Sequence, residues 1–112
     1  MVDNDYIPSR GDVVWLDFDP QAGHEQKGRR PALVVSHKEY NQKVGLAIFC
    51  PITSKTKNYP FEVIINKKKI VGSILSDQVK SLDWKIRNIS FIEKITDSEL
   101  DSVIEKIELL IC

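Results

Sequence analysis

The 112-residue chain lacks most of the features that announce a cofactor or a compartment. It has only two cysteines, Cys50 and Cys112, too few for a disulfide framework. Cys50 lies in an apolar run and reads as a small core residue; Cys112 reads as inert. No apolar stretch approaches the roughly 18 residues of a membrane span, and no signal-peptide core is present. A cytoplasmic protein with no membrane partner is the expectation. There is no Walker loop and no dinucleotide fingerprint. No His-x-x-x-His or Cys-x-x-Cys pair offers metal-ligand spacing. Asp17-x-Asp19 is a weak magnesium signal that reads more naturally as a solvated strand end. No metal and no cofactor are therefore expected. Net charge is also missing: 16 Lys and Arg balance 16 Asp and Glu. That argues against a protein that coats nucleic acid generally, but not against a local basic site.

What is present describes an ordinary globular chain, 42% hydrophobic and 29% charged, read as a single domain over residues 1–112. Residues 1–10 read as a loose arm. Val13–Asp19 alternates with period two, placing Val14, Leu16 and Phe18 on one face and Val13, Trp15, Asp17 and Asp19 on the other. Asp19-Pro20 ends this strand. Further strands are predicted over 31–36, 44–50, 61–65, 71–75 and 89–92, with a short helical turn over 37–43. Pro51 is expected to interrupt the third strand and present Thr53 and Ser54. Phe49, Phe61 and Phe91 fall at strand-core positions. The period then switches. Thr96-Asp97-Ser98-Glu99 is a capping box, followed by a stripe of Leu100, Val103, Ile104, Ile107 and Ile111. One amphipathic helix of roughly 14 residues follows, an ordinary length. Many short strands with one substantial helix predict a mainly β fold, an antiparallel barrel or curved sheet with a C-terminal helix. The connections are too short for parallel βαβ units.

The densest chemistry lies in Ala22-Gly23-His24-Glu25-Gln26-Lys27-Gly28-Arg29-Arg30-Pro31, between two strand-like runs. Residues 24–30 carry one Glu against one Lys and two Arg, a local excess of cations. The guanidinium fork suits a phosphate. Arg30 precedes Pro31, which biases its backbone to an extended form and makes it better positioned than Arg29. Glu25 and His24 can each accept or deliver a proton. Around one phosphodiester these groups can cleave RNA without metal: a base takes the 2′-OH proton, the oxygen attacks phosphorus, and cations stabilise the developing charge. From composition alone, an anion-binding loop with no catalysis fits equally well. The segment 80–87 adds Lys80, Lys85 and Arg87 against Asp83. Lys67-Lys68-Lys69 reads as a solvated turn.

Several stretches resemble one family in its own order. They are Gly11-Asp12-Val13-Val14-Trp15, Asp17-Phe18-Asp19-Pro20, Gly23-His24-Glu25-Gln26-x-Gly28-x-Arg30-Pro31, Pro51-Ile52-Thr53-Ser54, Tyr59-Pro60-Phe61-Glu62-Val63 and Asp77-Gln78-Val79-Lys80-Ser81. Together, over residues 8–111, they resemble the MazF/PemK family of toxin endoribonucleases. The resemblance implies an SH3-like β-barrel and a homodimer. It implies metal-independent, sequence-specific cleavage of single-stranded RNA, leaving 2′,3′-cyclic phosphate and 5′-hydroxyl ends and halting translation and growth. It implies a cognate antitoxin on the same surface, and DNA binding only through the antitoxin complex. By position, Arg30 and Thr53 match the family's catalytic pair, with Glu25 and His24 as further proton-transfer candidates. Some relatives use a histidine at position 24 with an aspartate at position 77 and an arginine two residues before it. Here that last position is Leu75, so the variant is incomplete. RNA contacts are expected from Trp15, Asp17, Gln26, Lys27, Gly28, Arg29, Ser54, Asp77, Gln78 and Lys80. Trp15 suits base stacking, core or dimer interface alike. Asp77 and Gln78 suit base edges or a turn cap, and His37 the surface. The rival reading is a catalytically silent nucleic-acid- or peptide-binding module on the same barrel.

Overall fold

The computed structural model describes residues 5–18, 28–56 and 58–112. Among these residues seven strands, all paired antiparallel, form one curled sheet: β1 Asp12–Asp17, β2 Arg29–Val34, β3 Ala47–Thr53, β4 Glu62–Asn66, β5 Val71–Leu75, β6 Lys80–Leu82 and β7 Ser90–Lys94. The order across the sheet is β4-β5-β3-β2-β1-β7, with β6 added on β3. Among the described residues two α-helices complete it, α1 Lys38–Val44 and α2 Asp97–Ile111, with a 3₁₀ turn at Trp84–Ile86. The sheet curls as a half-barrel, the antiparallel β-barrel class expected of the sequence.

Alternation along the strands splits the interior in two. One face packs Val13, Leu33, Cys50, Ile52, Ile65, Ile74 and Ile92 against α2 through Val103, Leu100, Ile104 and Ile107. The other packs Val14, Leu16, Phe18, Ala32, Val34 and Phe49 against Trp84, with Tyr6 and Ile7 of the N-terminal arm laid over it. Residues 5–10 of the arm are therefore anchored rather than loose. Tyr6 Oη donates to Asp12 Oδ2 at 2.5 Å, and Lys94 Nζ pairs with Asp12 Oδ1 at 2.7 Å.

Elsewhere the structure departs from expectation for local reasons. Residues 44–46 are not strand. Gly45, at φ +80°, caps α1 and donates its N–H to the Asn41 carbonyl, which only glycine does cheaply in that conformation. Buried Asn41 donates in turn to the Pro8 and Ser36 carbonyls at 2.8 and 3.1 Å. The strand β6 is three residues long, too short to show a period. Phe91 lies on an edge strand, is 49% exposed, and has the Tyr6 ring 6.0 Å away; Phe61 is half-buried. Ile111, the last member of the α2 stripe, is exposed because the sheet does not reach that far. Lys67 of the β4–β5 hairpin turns inward and bonds Glu99 at 2.9 Å, leaving Lys68 and Lys69 exposed. Among the described residues no helix is long and apolar enough to cross a membrane.

Two prolines shape the end of the sheet that carries the candidate site. β3 does not stop at Pro51. It runs through to Thr53, and its neighbour changes from β6, paired with residues 47–49, to β5, paired with Ile52 and Thr53. A residue with no N–H is tolerated where one ladder ends and another begins. Pro31 sits within β2, just past Ala32↔Pro51, where the β2–β3 ladder stops.

Candidate active site

Both arginines lie on β2 rather than in the preceding loop, because β1 keeps pairing past Pro31: Leu16↔Arg30 and Asp17↔Arg29. Adjacent strand residues point to opposite faces. Arg30 shares its face with Leu16, Ala32 and Val34, beyond the end of the core that they form. Thr53 pairs with Ser73, and its neighbours Ile52 and Ile74 lie in the α2-side core. Thr53 therefore points to the face that Arg30 occupies. The β2–β3 register, carried two residues past Ala32↔Pro51, sets Arg30 opposite Thr53. The two side chains thus flank the place where the ladder ends.

Lys80 joins them. It pairs with Phe49 on the same face and holds its ammonium 5.8 Å from the centre of the Phe18 ring. The Thr53 hydroxyl accepts the Lys55 N–H at 3.2 Å, a turn that orients it. Ser54 follows, exposed. The loop after Thr53 is tied to the turn before Lys80. Tyr59 Oη donates to Asp77 Oδ1 at 2.5 Å, and the Ser76 N–H donates to the Phe61 carbonyl at 3.0 Å. Gln78 closes that turn through its N–H to the Leu75 carbonyl. Burial and the Asp77 carboxylate together push the Tyr59 phenol well above its ordinary range, so it stays a donor.

Arg29 is on the opposite face and is occupied there. Its guanidinium reaches Asp17 Oδ1 at 3.5 Å, Ser90 Oγ at 2.9 Å and the Asn88 carbonyl. Trp15, opposite Pro31, shares that face and is 40% exposed. Trp15, Asp17 and Arg29 therefore form a cluster separate from Arg30, Thr53 and Lys80. The basic segment 80–87 divides in the same way. Arg87 bonds Asp83 at 2.7 Å, holding that carboxyl below its usual range, and donates to the Asp17 carbonyl at 3.1 Å. Lys85 lies over the Trp84 ring.

His24, Glu25, Gln26 and Lys27 lie outside the described residues. Gly28, just after them, has φ +82° and accepts the Phe18 N–H at 2.9 Å, a conformation suited to glycine. Cys50 lies at the core, its thiol pushed up to about 12 by burial with the Asp77 charge adding, so no thiolate is available. His37 is exposed at the start of α1.

Sequence reasoning missed two scaffold residues. Tyr59 grips Asp77 across 18 positions, a contact no local pattern reveals. Gly72 lies against the Thr53 carbonyl. Its only signal was a glycine inside a strand pattern, which marks close backbone approach.

Residues 9–111 match the sequence model described as PemK-like, MazF-like toxin of type II toxin-antitoxin system. The endoribonuclease toxin MazF of Escherichia coli is 42% identical over 106 residues, covering 95% of this chain and 96% of that protein. Endoribonuclease EndoA of Bacillus subtilis is 32% identical, covering 92% and 93%. The crystal structure of MazF from Deinococcus radiodurans superposes with a TM-score of 0.89 at 46% identity, covering 95% of this chain and 97% of that one. A MazE–MazF structure from the same organism gives 0.86 at 46% identity, covering 95% and 96%.

Proposed function

This chain belongs to the PemK-like, MazF-like toxin family, and we propose on that premise that it cuts single-stranded RNA by attack of the ribose 2′-OH, with Arg30 and Thr53 at the reacting phosphate. The chain is an endoribonuclease toxin, neutralised by a cognate antitoxin. One observation supports the residue assignment: the β2–β3 register, carried two residues past its last pair, brings a guanidinium opposite a hydroxyl on one face. Lys80, over the Phe18 ring, adds a second cation to the same face.

The steps follow from the groups. A base, His24 or Glu25, takes the 2′-OH proton. The oxygen bonds to phosphorus and the P–O5′ bond breaks. The leaving oxygen takes a proton back from the protonated base or through the Thr53 hydroxyl, leaving a 2′,3′-cyclic phosphate and a 5′-hydroxyl. Arg30 stabilises the charge that gathers on the phosphoryl oxygens, a role a fixed donor fills best. The Thr53 hydroxyl, held by the Lys55 N–H, donates to the same oxygens or passes the proton. Asp77, Gln78 and Ser54 border the site and contact the RNA. Residues 1–112 act as one domain in a cytoplasmic homodimer, and DNA is bound only through the antitoxin complex.

Incubation of the full chain with a long RNA in EDTA, followed by end mapping, tests this reading. Cleavage with cyclic-phosphate and 5′-hydroxyl ends is expected. Cleavage that needs added magnesium, or that leaves 5′-phosphates, contradicts it.

A further inference from the structure

We propose that Gly72 is a positioning residue for Thr53: β5 sits where it does against Thr53 only because position 72 has no side chain. The inference rests on the reading of Thr53 as part of the reacting site.

Gly11, Gly28 and Gly45 adopt positive φ, but Gly72 does not. Space, not backbone freedom, explains it. A Cβ built on Gly72 falls 2.6 Å from the Thr53 carbonyl oxygen, 3.4 Å from its carbonyl carbon and 3.0 Å from Ile52 Cγ2. The first contact is with backbone, which cannot swing aside as a long side chain can. A strand must move. The β3–β5 ladder holds only two pairs, Ile52↔Ile74 and Thr53↔Ser73. Ile52 and Ile74 are locked in the core, and Thr53 is half-buried at the strand end. The displacement therefore falls on Thr53. Its hydroxyl is oriented from the other side by the Lys55 N–H, so a shift of the carbonyl carries the hydroxyl with it. Displacing a reacting group by about 1 Å can cost about 100-fold in rate.

The test is single-turnover RNA cleavage by the full-length chain as Gly72→Ala, Thr53→Ala and the double variant. Binding to a 2′-deoxy analogue of the RNA is measured alongside. Gly45→Ala, strained at the α1 cap, controls for general destabilisation. We expect Gly72→Ala to slow cleavage about 10- to 100-fold, with analogue binding nearly unchanged. We expect it to add nothing in the Thr53→Ala background. Gly45→Ala lowers the melting temperature and leaves the cleavage step intact. Full activity in Gly72→Ala, or the same loss with and without Thr53, overturns the proposal. Should Thr53→Ala cleave at the wild-type rate, the site reading falls and this proposal with it, which separates the two failures. If Gly72→Ala does not fold, amide exchange in the unaltered chain decides. Ser73 must exchange as slowly as Ile74; exchange as fast as at Ser54 overturns the close approach.

Discussion

Arg29 and Arg30 are neighbours in sequence and opposites in space. Arg29 turns to the face that carries Trp15, where Asp17, Ser90 and the Asn88 carbonyl hold it. Arg30 turns to the other face, across the ladder end from Thr53. The same residue type thus does two jobs. One guanidinium ties β2 to β1 and the start of β7; the other shares its face with the Thr53 hydroxyl and Lys80. Strand alternation makes the division, and it turns on register: a slip of one residue would exchange the two roles. On the proposed reading, what distinguishes a working cation from a structural one is the face it lands on, not local charge density.

This contrast predicts that variants on the Arg30 face lose rate and keep stability, whereas scaffold variants do the reverse. The largest effect belongs to Thr53→Ala. Loss of a proton-transferring or donating hydroxyl costs on the order of 10²–10⁴ in single-turnover cleavage, with little change in melting temperature. A mild loss of rate would place Thr53 with the scaffold. A smaller, opposite effect is expected at the far end of the fold. Thr96 accepts the Glu99 N–H at 3.1 Å and Glu99 accepts the Thr96 N–H at 2.8 Å, closing the capping box of α2. Thr96→Ala should cost about 1 kcal/mol in denaturant unfolding and leave the cleavage rate untouched.

The Glu99 carboxyl adds a pH signature to that cap. Burial raises its pKa, but the Thr96 and Lys67 hydrogen bonds outweigh burial and hold it below the usual carboxylate range. A depressed folded-state value means the stabilisation is present above the unfolded value and is lost as pH falls through the folded one. Glu99→Gln should therefore lower the melting temperature at pH 7 and have progressively less effect as the carboxyl is protonated in acid. A pH-independent difference would contradict the assignment. The smallest effect concerns the thiols. Cys112 is exposed and Cys50 is buried with a raised pKa. Alkylation of the folded chain at pH 8 should modify Cys112 alone and leave cleavage unchanged. Rapid modification of Cys50 would show that its core opens.

Much of this was legible in the sequence because it is local. The capping box, the α2 stripe as far as Ile107 and the alternation of Val14, Leu16 and Phe18 each declare themselves within a few residues. The bias that Pro31 places on Arg30 is local too, and the ordered motifs carried the family. Pro51 misled because proline normally breaks a strand, and only the exchange of β6 for β5 makes room for it. Val44, Gly45 and Leu46 read as strand because the tertiary anchor at Asn41, which makes α1 worthwhile, is invisible in that window. The facing of Arg30 and Thr53 depends on the alignment of two strands 23 positions apart, and the Gly72 approach on a third; neither has a local signal.

The most direct test compares the paired arginines in one experiment: single-turnover cleavage in EDTA and melting temperature, for Arg30→Ala and Arg29→Ala. Arg30→Ala should lose on the order of 10²–10³ in rate, as when a preorganised donor is removed, and melt with the unaltered chain. Arg29→Ala should cleave within a few-fold of it but melt lower, by the worth of its exposed ion pair and hydrogen bonds, about 1 kcal/mol. Equal losses of rate in the two variants, or the reverse assignment, would contradict the division of the two faces.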